Sequence, residues 1–184
     1  QYLEQDVLSI ASRVNVPVNR ILRMRWILTW KPIDGDSTKH KAKARLVVLG
    51  FEDPDMLEGN IATAAPTLTK VGRQGFFQLA ASNRWPIHSG DVSTAFLRGS
   101  PGEEKRNIYV EGVPELRSFM GLNDDQILKL RKATYGLMNA PRRWYDRIDS
   151  DLRRQGWTRN RHEPCVYMRH DQHQRICGIL VMHV

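Results

Sequence analysis

Asp91 opens the run Asp91-Val92-Ser93-Thr94-Ala95-Phe96-Leu97, in which one carboxylate follows an apolar stretch and precedes small residues and an aromatic ring. A divalent cation needs hard oxygen ligands, and a carboxylate at the end of a rigid strand supplies one. Small residues beyond it let the backbone approach a triphosphate, and a ring at the sixth position can press against a sugar. A second run, Leu130 to Leu137 continuing into Asn139-Ala140-Pro141-Arg142-Arg143-Trp144-Tyr145, joins a basic strand end to a Tyr135-Gly136 turn and a proline-started helix. Gly136 there permits close passage of a base pair, and the helix N-terminus favours a phosphate. Arg142 and Arg143 add positive charge for nucleic acid. A third run carries Lys39, Lys41, Lys43 and Arg45. In an extended strand Lys41, Lys43 and Arg45 share one face, about 6–7 Å between successive side chains, which suits successive phosphates. Taken singly, each run also fits a plainer reading: a capped strand end, a strand-turn-helix connection, a solvated strand face.

The elements that must hold these residues follow from hydrophobic periodicity. Residues 1–14 predict a weakly amphipathic helix with Leu3, Val7, Ile10 and Val14 at helical spacing, ended by Pro17. Arg25 to Lys31 and Lys43 to Phe51 predict the two strands of a hairpin with a basic tip and one buried face, joined by a loop over Pro32 to Lys39. Pro66 starts a helix with Thr67 near its first turn and Leu68, Val71, Phe76, Leu79 and Ala80 towards the core. Gly72 and Gly75 weaken that helix by about 1 kcal/mol each. Trp85 to Asp91 predicts a short strand that stops on the acid, and further strands follow at Ile108 to Val113 and Gln126 to Arg131. The Pro141 helix carries Trp144, Ile148 and Leu152 as an apolar stripe and closes at Gln155-Gly156. Cys165 to Arg169 and Ile176 to Val184 predict a terminal strand pair. This irregular order indicates an α+β fold rather than a doubly wound sheet.

Composition bounds the function. At 184 residues and 41% apolar content, the chain can build a real core as one domain or a tight pair of subdomains. Lys plus Arg number 28 against 20 Asp plus Glu, a formal net charge of +8. Such an excess suits a polyanion, because each phosphate neutralised releases condensed counterions. The longest apolar runs, such as Gly178 to Met182, are too short to cross a bilayer, and no helical face sets basic residues against large apolar ones. No membrane partner is therefore expected. The amino end carries no secretion signal, which favours an intracellular setting, cytoplasmic, nuclear or in virus-like particles. Cys165 and Cys177 lack CxxC spacing and read as reduced core residues. The histidines lack ligand spacing, and neither a phosphate loop ending in GKS/T nor a Ser-His-Asp arrangement is present.

The order of the blocks carries more than any one of them. KARLVVLGF, AAPTLT, WPIHSGDVSTAFLRG, IYVEGVPE and LRKATYGLMNAPRRWYDRI resemble consecutive blocks of the reverse transcriptase (RNA-directed DNA polymerase) of copia-type long-terminal-repeat retrotransposons. The resemblance runs from about Arg25 to the C-terminus. It implies a right-hand polymerase fold, with an antiparallel palm sheet and packed helices plus a fingers subdomain. On that scheme residues 1–24 are an amino-terminal segment, 25–84 fingers and a connecting helix, and 85–184 palm with some fingers elements.

The resemblance also assigns roles. Asp91 matches the first catalytic aspartate, a ligand of two magnesium ions in nucleotidyl transfer. Val92 and Ser93 match positions whose backbone touches the incoming nucleotide's phosphates, and Phe96 matches the ring that excludes a 2′-hydroxyl. Lys43 and Arg45 match fingers residues that grip the triphosphate; Tyr135 and Gly136 match the turn lining the nucleotide pocket. The implied partners are an RNA or DNA template-primer, deoxynucleoside triphosphates and other regions of a Pol polyprotein. The chain departs from the family at Leu49, usually basic, and at Met138-Asn139, usually Lys-Gln. It also stops at Val184, before the Asp-Asp pair that supplies the remaining metal ligands. The expectation is that this stretch alone does not polymerise, whereas its parent does. The alternative reading is a non-catalytic nucleic-acid-binding remnant of such an element.

Overall fold

Val7 and Leu8 are buried, and their burial draws the amino-terminal segment into a sheet instead of the expected helix. The computed structural model describes residues 2–33, 36–99 and 106–183. In chain order its strands are β1 (Leu8–Ser12), β2 (Ile21–Leu22), β3 (Met24–Ile33), β4 (Asp36–Val48), β5 (Tyr109–Val110), β6 (Gln126–Leu130), β7 (Thr158–Arg159), β8 (Val166–His170) and β9 (Ile176–Val181). Its α-helices are α1 (Pro54–Leu57), α2 (Lys70–Ser82), α3 (Pro114–Phe119) and α4 (Ala140–Arg154). The architecture is mixed α+β. The chain divides into two compact units, one of residues 1–62 with 96–140 and one of residues 63–95 with 141–184.

The first unit holds a four-stranded sheet in the order β1-β6-β5-β2. Its pairs are antiparallel except β2 with β5, which is parallel. β1 aligns Leu8 opposite Leu130 and Ser12 opposite Gln126. Those backbone partners lie far along the chain, so local periodicity could not reveal them. Val7, Leu22, Val48, Leu97, Val110, Leu128 and Leu130 form the centre of its core. Each such buried side chain contributes about 1.5–3 kcal/mol. Asp53 caps α1 by accepting from the Asp55 amide at 3.1 Å, and Arg106 Nη1 bridges Asp53 and Asp55 at 2.7 and 3.1 Å.

β3 and β4 form a separate two-stranded ribbon, from Met24 opposite Val48 to Lys31 opposite Lys41. The expected hairpin is present, but pairing resumes at Asp36, within the expected loop; Asp34 and Gly35 lie outside the described residues. The expected buried face is corrected. Burial is confined to the base, at Met24, Leu46, Val47 and Val48, while Leu28 and Trp30 are 74% and 73% exposed. Alternation dictates which side chains share a face, not that the face is covered.

The second unit packs α2 and α4 with the antiparallel sheet β7-β8-β9. Its core is Tyr145, Leu152, Cys165, Tyr167 and Met182, flanked by Leu68, Ile148, Trp157 and Leu180. Buried Tyr167 donates to Asp149 Oδ1 at 2.8 Å, and burial pushes its hydroxyl pKa well above the usual range. α4 has Pro141 in its first turn, and Gly156 beyond its end takes φ +84°, a conformation glycine adopts without strain. α2 begins later than the sequence indicated. Thr69, not Thr67, caps it, accepting from the Gly72 amide at 3.0 Å. Of the five apolar side chains expected towards the core, Ala80 alone is fully buried, while Val71 and Leu79 are 78% and 43% exposed. Cys165 is buried as expected; Cys177 is exposed on β9, a correction to its reading as a core residue.

Candidate functional site

Within the first unit, Lys41, Lys43 and Arg45 lie on one face of β4, the lysines exposed and Arg45 half-buried. Across the ladder, Lys31 stands opposite Lys41, Thr29 opposite Lys43 and Ile27 opposite Arg45. Lys31 therefore joins the basic face. Its place depends on the hairpin register, which the sequence of one strand does not reveal. Like charges directly opposite one another disfavour pairing, so this face gains from an anion.

The Tyr135-Gly136 turn is fastened to the end of the same strand. Val48 N donates to Tyr135 O at 2.8 Å. Gly136 takes φ +93°, and a Cβ there would overlap the Val48 backbone, just as one at Gly50 would overlap the Gly136 carbonyl. Glycine at 136 thus has a packing cause within the fold. The Phe96 ring meets Tyr135 edge to face, with centroids 5.4 Å apart. Beside the turn, Thr134 Oγ1 donates to Tyr2 Oη at 2.5 Å and Tyr2 donates to Leu46 O at 2.8 Å. Burial raises the Tyr2 hydroxyl to about 12, so it stays a donor at neutral pH. Of the residues assigned to the incoming nucleotide, Lys43, Arg45, Phe96, Tyr135 and Gly136 are carried by the first unit, whereas Val92 and Ser93 belong to the second.

The second unit carries Asp91, Val92, Ser93, Arg142 and Arg143. The expected strand from Trp85 to Asp91 is corrected: the segment belongs to no strand ladder. It nonetheless runs alongside the terminal hairpin. Trp85, Ile87 and His88 share the walls of a cavity of about 380 Å³ with Phe76, Trp157 and residues 177–181 of β9. Asp91 is exposed and makes no hydrogen bond or ion pair among the described residues. Val92 is 42% exposed and Ser93 is exposed. Thr94 has φ +56°, a left-handed conformation unusual for a β-branched residue and the kind of strain that concentrates at functional sites. No signal in the sequence marked it.

Arg142 spends part of its charge locally. Its Nε donates to Asp146 at 3.0 Å, its Nη1 reaches Ala64 O at 3.4 Å, and its guanidinium lies 5.9 Å from the Tyr145 ring centroid. Arg143 is half-buried and engaged. Both arginines are therefore committed to contacts within the fold. As for a metal, magnesium demands several oxygen ligands, and no group of three or more His, Cys, Asp or Glu is placed to hold an ion among the described residues. The described residues alone bring no such set together, and Asp91 is a single carboxylate.

The reverse transcriptase (RNA-dependent DNA polymerase) family matches residues 10–184. The chain belongs to the reverse transcriptase family. Over 150 residues it is 36% identical to the Retrovirus-related Pol polyprotein from transposon TNT 1-94 of Nicotiana tabacum, a match covering 82% of this chain and 11% of that protein. The corresponding polyprotein from transposon RE2 of Arabidopsis thaliana is 34% identical over 130 residues, 70% of this chain and 8% of that protein. The Transposon Ty1-BL Gag-Pol polyprotein of Saccharomyces cerevisiae is 31% identical over 127 residues, 68% of this chain and 7% of that protein. The copia-type resemblance of the sequence blocks is thus borne out. This reverse transcriptase chain spans about a tenth or less of the length of these curated relatives. No solved structure matches it. No helix among its described residues is long and apolar enough to cross a membrane.

Proposed function

We propose that this reverse transcriptase chain contributes fingers and palm elements to an RNA-directed DNA polymerase within a longer Pol polyprotein, extending a primer with deoxynucleotides on an RNA or DNA template. The fingers elements are placed within residues 25–84 and the palm elements within 85–184. The observation that carries the reading is the state of Asp91, an exposed carboxylate without a partner among the described residues, at the end of a segment running beside β9. A carboxylate kept for structure would be buried or paired. One left in solvent is available to an ion.

On this reading Asp91 is a magnesium ligand, and the ligands that complete the site lie outside the described residues. When bound, the metal pair would stabilise charge on the transferred phosphoryl group. The protein groups bind and orient. Lys43 and Arg45 hold the triphosphate, with Arg45 the better fork for phosphate. Val92 and Ser93 offer their backbone to the phosphates. Tyr135 and Gly136 line the nucleotide pocket, and Phe96, its ring fixed against Tyr135, stands where a 2′-hydroxyl would collide. Lys41, Arg142 and Arg143 contact the nucleic-acid backbone; the local pairing of Arg142 makes it the weakest contributor.

The test is primer extension with magnesium by the chain extended through the rest of its polymerase region. Asp91→Asn is expected to abolish synthesis while leaving the circular dichroism spectrum and unfolding midpoint unchanged. Retention of synthesis by Asp91→Asn would end the assignment.

A further inference from the structure

The end of α4, β7 and the segment after it enclose a second concave surface, of about 500 Å³, lined by Arg153, Arg159, Arg161, Trp157 and Asn160 among others. Its volume falls in the range of small-molecule sites, about 300–1,000 Å³. The charge is unbalanced. Asp149 is the carboxylate that Arg153 and Arg159 share, and it also accepts from Tyr167. Both arginine contacts to it are long, 3.7 Å from Arg153 and 3.3 Å from Arg159. Arg159 makes them through Nη1, which also donates to Tyr145 Oη at 3.3 Å. Arg161 is exposed and pairs with no carboxylate among the described residues. Three guanidiniums line the concavity, and the one carboxylate that two of them share is also committed to Tyr167, which leaves the concavity net positive. A guanidinium presents five donors in a planar fork, so long contacts to a single oxygen leave most of that capacity open. The half-buried Trp157 indole gives the same concavity an apolar, aromatic wall.

We propose that this concavity binds a phosphate-bearing nucleotide unit, with Arg153 and Arg161 on the phosphate and Trp157 against the base. Phosphate answers the fork geometry and the surplus charge. A planar base answers the indole, as in single-strand binding surfaces that combine basic grooves with aromatic platforms. Arg159, tied to Tyr145 and Asp149, positions the shelf. The site uses neither Asp91 nor the β4 lysines and stands or falls independently of the polymerase reading.

The nucleotide unit has two sources, a free nucleoside triphosphate or a strand of nucleic acid. Titration of the chain with deoxythymidine triphosphate, a twelve-residue oligo-dT and an abasic deoxyribose-phosphate polymer, read by tryptophan fluorescence, separates them. Oligo-dT is expected to quench a component that Trp157→Phe removes. Arg153→Ala with Arg161→Ala, both exposed positions, is expected to weaken oligo-dT binding roughly tenfold. It should also lower the slope of log affinity against log salt by about 1.4, the value for two phosphate contacts on a single strand. Arg175→Ala, an exposed arginine on the turn before β9, should do neither. Competition by the triphosphate at equal nucleotide concentration supports the free nucleotide as source; its absence supports the strand. Equal affinity for the abasic polymer with no Trp157 signal, or a double variant that binds as the Arg175→Ala control does, overturns the proposal.

Discussion

Phe96 and Tyr135 meet edge to face, centroids 5.4 Å apart and planes at 68°, although they belong to different sequence blocks. Edge-to-face pairs of this kind contribute about 0.5–1.5 kcal/mol beyond the area they bury. A double-mutant cycle with Phe96→Leu and Tyr135→Leu, followed by urea unfolding, is expected to return a coupling energy in that range. The contact also fixes the ring that would exclude a 2′-hydroxyl. In a polymerase-competent form, Phe96→Val is expected to admit ribonucleotides, and Tyr135→Leu should relax selection part-way. Full discrimination in Phe96→Val would remove the gate role while leaving the packing result intact.

Gly136 is held where a side chain has no room. Its φ of +93° already strains any L-residue, and a Cβ would overlap the Val48 backbone, which cannot yield as a flexible side chain can. Gly136→Ala is expected to cost at least about 3 kcal/mol, visible as a lower urea midpoint. Gly59 provides the comparison, because its φ is +73° and nothing lies within 4 Å of a Cβ there. Gly59→Ala should show the conformational cost alone, about 1–2 kcal/mol. Similar losses in the two variants would mean that the 136 turn is not pinned to β4.

Asp55 makes acid stability legible. Burial alone would raise its carboxyl pKa, but hydrogen bonds and charge from Arg20 and Arg106 outweigh it and hold the carboxyl below the usual range. With the folded pKa below the unfolded value of about 3.9, the stabilisation is complete above that value. It is lost as pH falls through the folded pKa. Asp55 should therefore contribute to a fall in melting temperature on acidification below about pH 4. Asp55→Asn should lower it at neutral pH and flatten the acid limb. An unaltered acid limb in that variant would show that Asp55 is not one of the groups responsible.

The sequence told most where chemistry and local pattern coincide. Alternation located the β3–β4 and β8–β9 pairs, and Pro141 with the stripe at Ile148 and Leu152 located α4. It misled where a distant partner decides. Leu8–Ser12 has helical spacing around it, yet Gln126–Leu130 offers a sheet edge and wins. Trp85 to Asp91 has the composition of a strand but no ladder among the described residues, and no property of those seven residues could reveal that. The candidate site was legible as residue types in blocks. Their neighbours were not: Lys31 joins the basic face through hairpin register, and the Phe96–Tyr135 contact is a product of the fold.

Lys43 and Arg45 carry the sharpest test of the basic face. Both project from the same side of β4, Arg45 half-buried opposite Ile27 and Lys43 exposed opposite Thr29. A charge-assisted hydrogen bond to phosphate contributes about 1.5–3 kcal/mol, which corresponds to roughly a 10- to 150-fold change in affinity. Arg45→Ala in a polymerase-competent form is expected to raise the nucleotide KM by at least the lower figure, and Lys43→Ala by less, because an ammonium is a point charge without the planar fork. Lys43→Ala should leave the unfolding midpoint nearly unchanged, since exposed substitutions stay within about 0.5 kcal/mol. Arg45→Ala also removes packing of its stem and will lower the midpoint modestly. Arg45→Lys separates the two contributions: it keeps charge and stem, so it should restore the midpoint but only part of the KM. A KM unmoved in both alanine variants would mean that this face of β4 meets solvent and not a triphosphate.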